Sequence, residues 1–296
     1  MKFMRRAPAC DTPDGINLLR EALNNCEAVI IGAGSGLSTS AGYTYNGARF
    51  EKYFADFAAK YKFNDMYSGG FCKFESAGEF WAYWSRHIMI NRYLEPEDKK
   101  PVYENLLKLV ESKDYFVLTT NVDHCFQRAG FDKSRLFYTQ GDYGLFQCSV
   151  PCHQKTYDNK EIIYKLFNSQ HDMKVDEKLI PHCPVCGEVM SMNLRTDMTF
   201  VEDQGWHDAA KRYVNFLEQR HDKKVLFWEI GTGMNTPSII KFPFQEMTLE
   251  WPEARYACVN LNEAYAPAEI KDKSICINKD ICEVLSQLCE VCELLN

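Results

Sequence analysis

The sequence predicts an α/β fold, a doubly wound parallel sheet with a smaller inserted domain, and three observations carry that expectation. Continuous apolar, β-rich runs recur at 28–31, 115–119, 225–230 and 256–261, with a shorter one at 274–277. Unbroken rather than alternating hydrophobicity fits strands buried on both faces. Helical patterns at 16–25, 101–111, 206–220 and 281–295 intervene, and such alternation favours helices on both sides of the sheet. Two stretches break the rhythm: an aromatic-rich region over 50–94 and a polar region over 145–201 that carries two cysteine pairs. The expected division is a Rossmann-like nucleotide-binding domain over 1–49, 110–144 and 222–296. A helical insert (50–109) and a cysteine-based module (145–221) would form the small domain.

With 296 residues, 46% of them hydrophobic and 25% charged, the chain has ample material for a large core. A net charge of −7, with no dense Lys/Arg block, argues against nucleic acid as a partner. The start, MKFMRRAPACDTPDG, has no apolar run behind its arginines and does not read as a signal peptide. No apolar stretch reaches membrane length, so the expected location is the cytoplasm, without a membrane partner. The 13 cysteines are then expected to be mostly reduced. Cys282, Cys289 and Cys292 share one helix face and read as small core hydrophobes. Phe80, Trp81, Trp84 and Ile88 likewise read as the packed face of a helix in the insert.

After the first strand come Gly34-Ser35-Gly36-Leu37-Ser38 and, four residues on, Gly42. Glycines at a strand exit let the backbone turn tightly and approach a pyrophosphate. No clear acidic residue follows about twenty positions later to hold a ribose in the dehydrogenase manner, so ordinary hydride transfer loses ground. The strand at 115–119 runs into Thr120-Asn121-Val122-Asp123-His124. Polar residues at the carboxyl end of such a strand face the ligand crevice, making Asn121 and Asp123 site candidates. Gln140-Gly141 repeats the arrangement after a short apolar segment.

At this point the chain resembles the sirtuins over almost its whole length. Gly34-Ser35-Gly36-Leu37-Ser38 through Gly42 is similar to their NAD-binding turn, Thr119-Thr120-Asn121-Val122-Asp123 to their Thr-Gln-Asn-x-Asp motif, and Gly231-Thr232-Gly233 to their Gly-Thr-Ser segment. The resemblance implies NAD as cofactor, with Asn260 near the adenosine ribose, Ile281 near the adenine, and Asp123 on the nicotinamide carboxamide. Cys148, Cys152, Cys183 and Cys186 form two pairs in the arrangement of a closed structural zinc site. Three residues separate the first pair, and His153 or His182 stands as an alternative ligand.

The sequence departs from the lysine-deacylating members in three places. Gln140 stands where their general-base histidine does, and an amide takes up no proton near neutral pH. The substrate-pairing segment reads Met198-Thr199-Phe200-Val201-Glu202-Asp203 and lacks the family's glycine. Gly42-Tyr43-Thr44-Tyr45-Asn46-Gly47-Ala48-Arg49-Phe50 replaces the usual cofactor loop, with Arg49 in the place of the family arginine and the register open across the extra residues. Together these features resemble class M sirtuins, the macrodomain-linked microbial group. That resemblance implies mono-ADP-ribosylation of a lipoylated glycine-cleavage H-like carrier protein, reversed by a macrodomain hydrolase. Asn121, Asp123 and Gln140 are the expected catalytic set, and Gly34, Ser35, Gly36, Ser38, Gly42, Arg49, Gly231, Thr232, Asn260 and Ile281 complete the NAD contacts. His124, Glu202 and Asp203 are candidate bases for the acceptor, none with an assigned role. A lysine deacylase and a non-catalytic NAD or ADP-ribose sensor are the competing functions.

Overall fold

The computed structural model describes residues 10–293, with side chains to Glu290; the arginine-bearing start of the chain (1–9) and the side chain of Cys292 lie outside the described residues. Its strands are β1 (Ala28–Ala33), β2 (Tyr115–Thr119), β3 (Leu136–Tyr138), β4 (Gly141–Cys148), β5 (Tyr157–Asp158), β6 (Met190–Leu194), β7 (Val225–Ile230), β8 (Arg255–Val259) and β9 (Ser274–Ile277). Six of them make one sheet in the order β3-β2-β1-β7-β8-β9, every pair parallel. The order steps outward through β3 and then returns to lay β7 against β1. That reversal opens a crevice at the carboxyl ends of β1 and β7, where open α/β sheets bind ligands.

Every residue of β1, β2 and β7 is buried, which is why these strands read as unbroken apolar runs. Alternate side chains go to opposite faces. Val29, Ile31, Val117, Leu226 and Trp228 meet residues of the helices Gly15–Asn25, Val102–Val110 and Ile281–Glu293. On the other face Ile30, Phe116, Phe227 and Tyr256 meet the helices Gln204–Glu218 and Lys241–Glu250. In the first helix Gly15, Leu19, Ala22 and Leu23 are the buried residues, three and four apart as one helical face requires. Gln204–Glu218 starts where the Asp203 carboxylate accepts the Trp206 N–H at 2.9 Å, an N-cap.

The two inserts share a single core. Phe54, Phe57, Trp81, Tyr83 and Ile88 from the helical segment lie in one cluster with Phe146, Ile163 and Leu166, and the Trp81 ring meets Phe146 edge-on at 5.4 Å. Around it β5, β4 and β6 form a separate antiparallel sheet. Two helices that the sequence division assigned to the inserts pack on the large sheet instead. Leu106 and Val110 bury in the cluster of Val29 and Ile31, and Phe216 buries beside Phe116, because their apolar faces match the sheet surface left open on either side. Of the cysteines on the last helix, Cys282 packs at the edge of the core and Cys289 approaches the Asn105 carbonyl at 3.6 Å. Among the described cysteines all are free thiols.

The glycines at the switch point serve backbone packing first. A Cβ on Gly34 would lie 2.6 Å from the Gly231 carbonyl oxygen, and one on Gly36 would lie 2.8 Å from the Gly231 Cα. Gly231 itself has φ 63° and would place a Cβ 2.4 Å from the Leu37 nitrogen. The exits of β1 and β7 therefore touch through backbone alone. Gly36→Ala is expected to destabilise the chain by about 1–3 kcal/mol, the usual range for overpacking, and to weaken dinucleotide binding. Urea unfolding and calorimetric titration with NAD check both.

Candidate active site

The exits of β1 and β2 are tied together before any side chain reaches the crevice. Thr119 Oγ1 donates to the Ala33 carbonyl at 2.9 Å and accepts the Asn121 N–H at 3.0 Å. That turn points the Asn121 amide back at the first loop, where Nδ2 donates to the Gly34 carbonyl at 2.9 Å and to Ser38 Oγ at 3.1 Å. Ser38 Oγ donates to Asp123 Oδ2 at 2.5 Å, and the other Asp123 oxygen accepts the Cys125 N–H at 2.9 Å. Tyr103 OH stands 2.8 Å from Ser38 Oγ. Ser38, Asn121 and Asp123 thus form one closed web whose members fix one another.

Behind this web lies a cavity of about 710 Å³, within the size range of small-molecule and cofactor sites. Gly34, Ser35, Ser38, Asn121, Asp123, Gln140 and Thr232 all line it. Gln140 Nε2 donates to Thr139 Oγ1 at 3.1 Å, and its backbone carbonyl accepts the Arg195 N–H at 3.0 Å. The other expected cofactor residues do not line the cavity. Gly36 and Gly231 are spent on the contact described above, and Gly42 turns the chain at φ 100°. Asn260 Nδ2 donates to the Thr232 carbonyl at 2.8 Å, while Ile281 is buried in the core. The Arg49 guanidinium is committed to the Ile90 and Thr44 carbonyls at 2.6 and 3.0 Å and to Asn91 Oδ1 at 2.8 Å.

Much of the opposite wall comes from the small domain and carries no motif. Tyr45, His87, Asn91, Tyr143 and Arg195 line it. His87 Nε2 is 3.0 Å from Tyr143 OH, which is 2.7 Å from Tyr45 OH. Burial, with a smaller push from the Arg49 charge, lowers the His87 pKa to about 3, so the ring is neutral at physiological pH. A sequence signal existed only in the density of aromatics around it. The three candidate bases are held elsewhere. Glu202 pairs with Arg195 at 2.6 Å, Asp203 caps a helix, and His124 Nδ1 bonds Asp142 Oδ2 at 2.5 Å. A buried Glu229 near the end of β7 carries no sequence motif. It receives Lys241 Nζ, Thr232 Oγ1 and Tyr256 OH and so turns the Thr232 hydroxyl inward. Breaking such a buried pair from one side costs about 3–5 kcal/mol.

The four cysteines converge. Cys148 ends β4, Cys183 and Cys186 sit in the knuckle before β6, and their sulfurs with that of Cys152 all lie within 4.8 Å of one another. Cys148 and Cys186 are 3.5 Å apart, Cys152 and Cys183 3.7 Å. A zinc–sulfur bond of about 2.3 Å gives tetrahedral edges of about 3.8 Å, so the donor set fits a structural zinc ion with no position left for catalysis. His182 Nδ1 faces the Gly187 carbonyl at 2.9 Å, and His153 Nδ1 bonds the Cys152 sulfur at 3.0 Å. The four-thiol set is complete without either.

No family model matches the chain. A Sir2 structure with a p53 peptide and NAD+ superimposes with a TM-score of 0.58 at 20% identity, over 94% of this chain and 99% of that one. A Sir2 structure bound to a propionylated peptide gives 0.56 at 20% identity over the same shares. These likenesses carry the fold. A protein ADP-ribosyltransferase of Staphylococcus aureus (strain Mu50 / ATCC 700699) is 40% identical over 270 residues, covering 91% of this chain and 85% of that protein. The chain belongs to the family of this protein ADP-ribosyltransferase, and its fold is that of the Sir2 structures. A probable bifunctional ADP-ribose hydrolase/ADP-ribosyltransferase of Fusarium oxysporum f. sp. cubense is 28% identical over 306 aligned positions, 96% of this chain but 49% of that protein; the chain spans about half its length. The crevice lies between the large sheet and the inserted domain, and among the described residues no helix is long and apolar enough to cross a membrane.

Metal analysis of protein purified without added metal is expected to find one zinc per chain, lost in Cys183→Ser together with a lower Tm. Metal-free protein of unchanged Tm would remove the site. His87 supplies a second expectation. An unfolded histidine binds its proton near pH 6.5, whereas the folded one resists it down to about 3. The unfolded state therefore takes up the extra proton as pH falls through that window, and stability is lost there, by on the order of 5 kcal/mol at full extent. The slope of urea-unfolding free energy against pH should flatten in His87→Gln.

Proposed function

We propose that this chain transfers a single ADP-ribose from NAD to a lipoylated glycine-cleavage H-like carrier protein, releasing nicotinamide. The observation that carries the reading is Gln140 in the cavity wall with Asn121 and Asp123, at the position where deacylating sirtuins keep a basic histidine. The protein acceptor and ADP-ribose as the group transferred are supported by the relative from Staphylococcus aureus. The lipoyl group and the carrier are supported by the class M resemblance of the sequence. So is a macrodomain partner that reverses the modification, and the hydrolase activity named for the Fusarium oxysporum relative is in keeping with it. The location we assign is the cytoplasm.

NAD enters with its pyrophosphate on Gly34 to Ser38 and its adenosine toward Thr232 and Asn260. The Asp123 carboxylate accepts the N–H of the nicotinamide carboxamide and orients the ring for departure. The glycosidic bond then breaks, and nicotinamide leaves with the bonding pair. Asn121 orients the ribose, and Gln140 hydrogen-bonds its hydroxyls without removing a proton. With no general base on the ribose, worth about 10²–10⁴-fold in rate, the deacylation sequence stalls and the anomeric carbon is left to the acceptor. The acceptor nucleophile forms the new bond at that carbon and releases its proton to solvent. Positioning supplies most of the acceleration.

Labelled NAD offered to lipoylated carrier, unlipoylated carrier and an acetyl-lysine peptide tests this directly. Label is expected on the lipoylated carrier only, reduced at least about 100-fold in Asn121→Ala, with Gln140→His gaining deacetylation. Efficient deacetylation by the native chain, without transfer, would overturn the reading of Gln140 and favour a lysine deacylase.

A further inference from the structure

We propose that Asp142 is a positioning residue, a buried carboxylate that clamps three segments of the cavity wall in register and so sets where Gln140 stands opposite Asn121 and Asp123. The inference rests on the proposed role of those residues and goes beyond it by naming what holds them. Asp142 lies two residues beyond Gln140 on β4 and is buried. Its Oδ2 is 2.5 Å from His124 Nδ1, and its Oδ1 accepts Arg92 Nε at 2.9 Å and the Gly144 N–H at 2.7 Å. Each arm of the clamp is the chain neighbour of a wall residue. His124 follows Asp123, Arg92 follows Asn91, and Asp142 itself precedes Tyr143.

The backbone is shaped for this meeting. His124 sits in the left-handed region at φ 66° and Gly141 at φ 95°, and a Cβ on Gly141 would lie 1.9 Å from the Asn193 carbonyl oxygen. Asn91 and Arg92 belong to a π-helical turn, Met89–Tyr93, a wide turn frequent at functional sites. Gly144 leaves room for the guanidinium, since a Cβ there would stand 2.8 Å from Arg92 Nε. A second link runs alongside, the Tyr143 N–H donating to the Val122 carbonyl at 2.8 Å. Burial alone would raise the Asp142 pKa, but the His124 hydrogen bond and the Arg92 charge hold it below the usual range, so the carboxylate is charged at neutral pH. Neither His124, Arg92 nor Asp142 lines the cavity; the clamp acts through the residues beside it.

Misplacement of reacting groups by about 1 Å can cost on the order of 100-fold in rate, so the clamp is read in kcat and not in affinity. The experiment compares His124→Ala and His124→Asn with the native chain by NAD cleavage kinetics, calorimetric NAD binding and thermal unfolding. Asparagine adopts the left-handed conformation readily and keeps an N–H donor. His124→Ala is expected to lower kcat about ten- to hundredfold with NAD affinity within about twofold, and His124→Asn to restore most of the rate. Asp142→Asn, which leaves the half-buried Arg92 without its charge partner, should lower kcat at least as far and also lower Tm. A folded His124→Ala chain with kcat within about twofold of the native value would overturn the proposal, as would a folded His124→Asn chain that remains as slow as His124→Ala. A native chain that cleaves NAD no faster than Asn121→Ala would remove the functional reading, and the clamp with it.

Discussion

Backbone contact between two glycine turns is the constraint on which the rest of the structure depends. Gly34 and Gly36 leave β1, Gly231 leaves β7, and neither side has room for a single Cβ. Because the two turns touch, the backbone at the switch point is fixed, and Gly34 carries that contact to the cavity wall. Asn121 then reaches the Gly34 carbonyl, and Thr232 is held by Glu229 from beneath. A looser junction would move Ser38, and with it the Asp123 carboxylate that Ser38 binds.

The second wall is a consequence of how the two inserts solve their own burial problem. They pool Trp81, Phe146 and their neighbours into one cluster. Pooling brings Tyr45, His87, Asn91 and Tyr143 up against the motif residues of the large sheet. The four-cysteine cluster, at the far end of β4 from Gln140, is suited to holding the small antiparallel sheet in shape, since a closed zinc site contributes directly to folding.

A wall of this kind favours fixed hydrogen bonds over proton traffic. His87 is buried too deeply to hold a charge, Glu202 is spent on Arg195, and Gln140 has no acid–base chemistry to offer near neutral pH. Preorganised dipoles in a site shielded from water are worth more than the same groups in solution. That arrangement suits cleavage of a glycosidic bond in a substrate carrying its own leaving group, where geometry matters more than an internal base.

The sequence by itself determined the sheet and the motif half of the cavity. Unbroken apolar runs and glycine turns are local features, and β2, β7 and β9 begin and end where their residues say. The signal for Asn121, Asp123 and Gln140 was equally local, since each follows a strand whose carboxyl end must face the crevice. The paired cysteines were legible from spacing for the same reason. Tertiary structure alone decided which helices lie on the sheet and which on the insert, because an amphipathic face does not name the surface it will cover. It also decided the opposite wall, the buried Glu229 and the fate of Arg49. His87, Asp142 and Arg92 come from segments tens of residues apart with no pattern joining them. Their meaning comes from a meeting in space that depends on long-range packing, and no period in the chain encodes it.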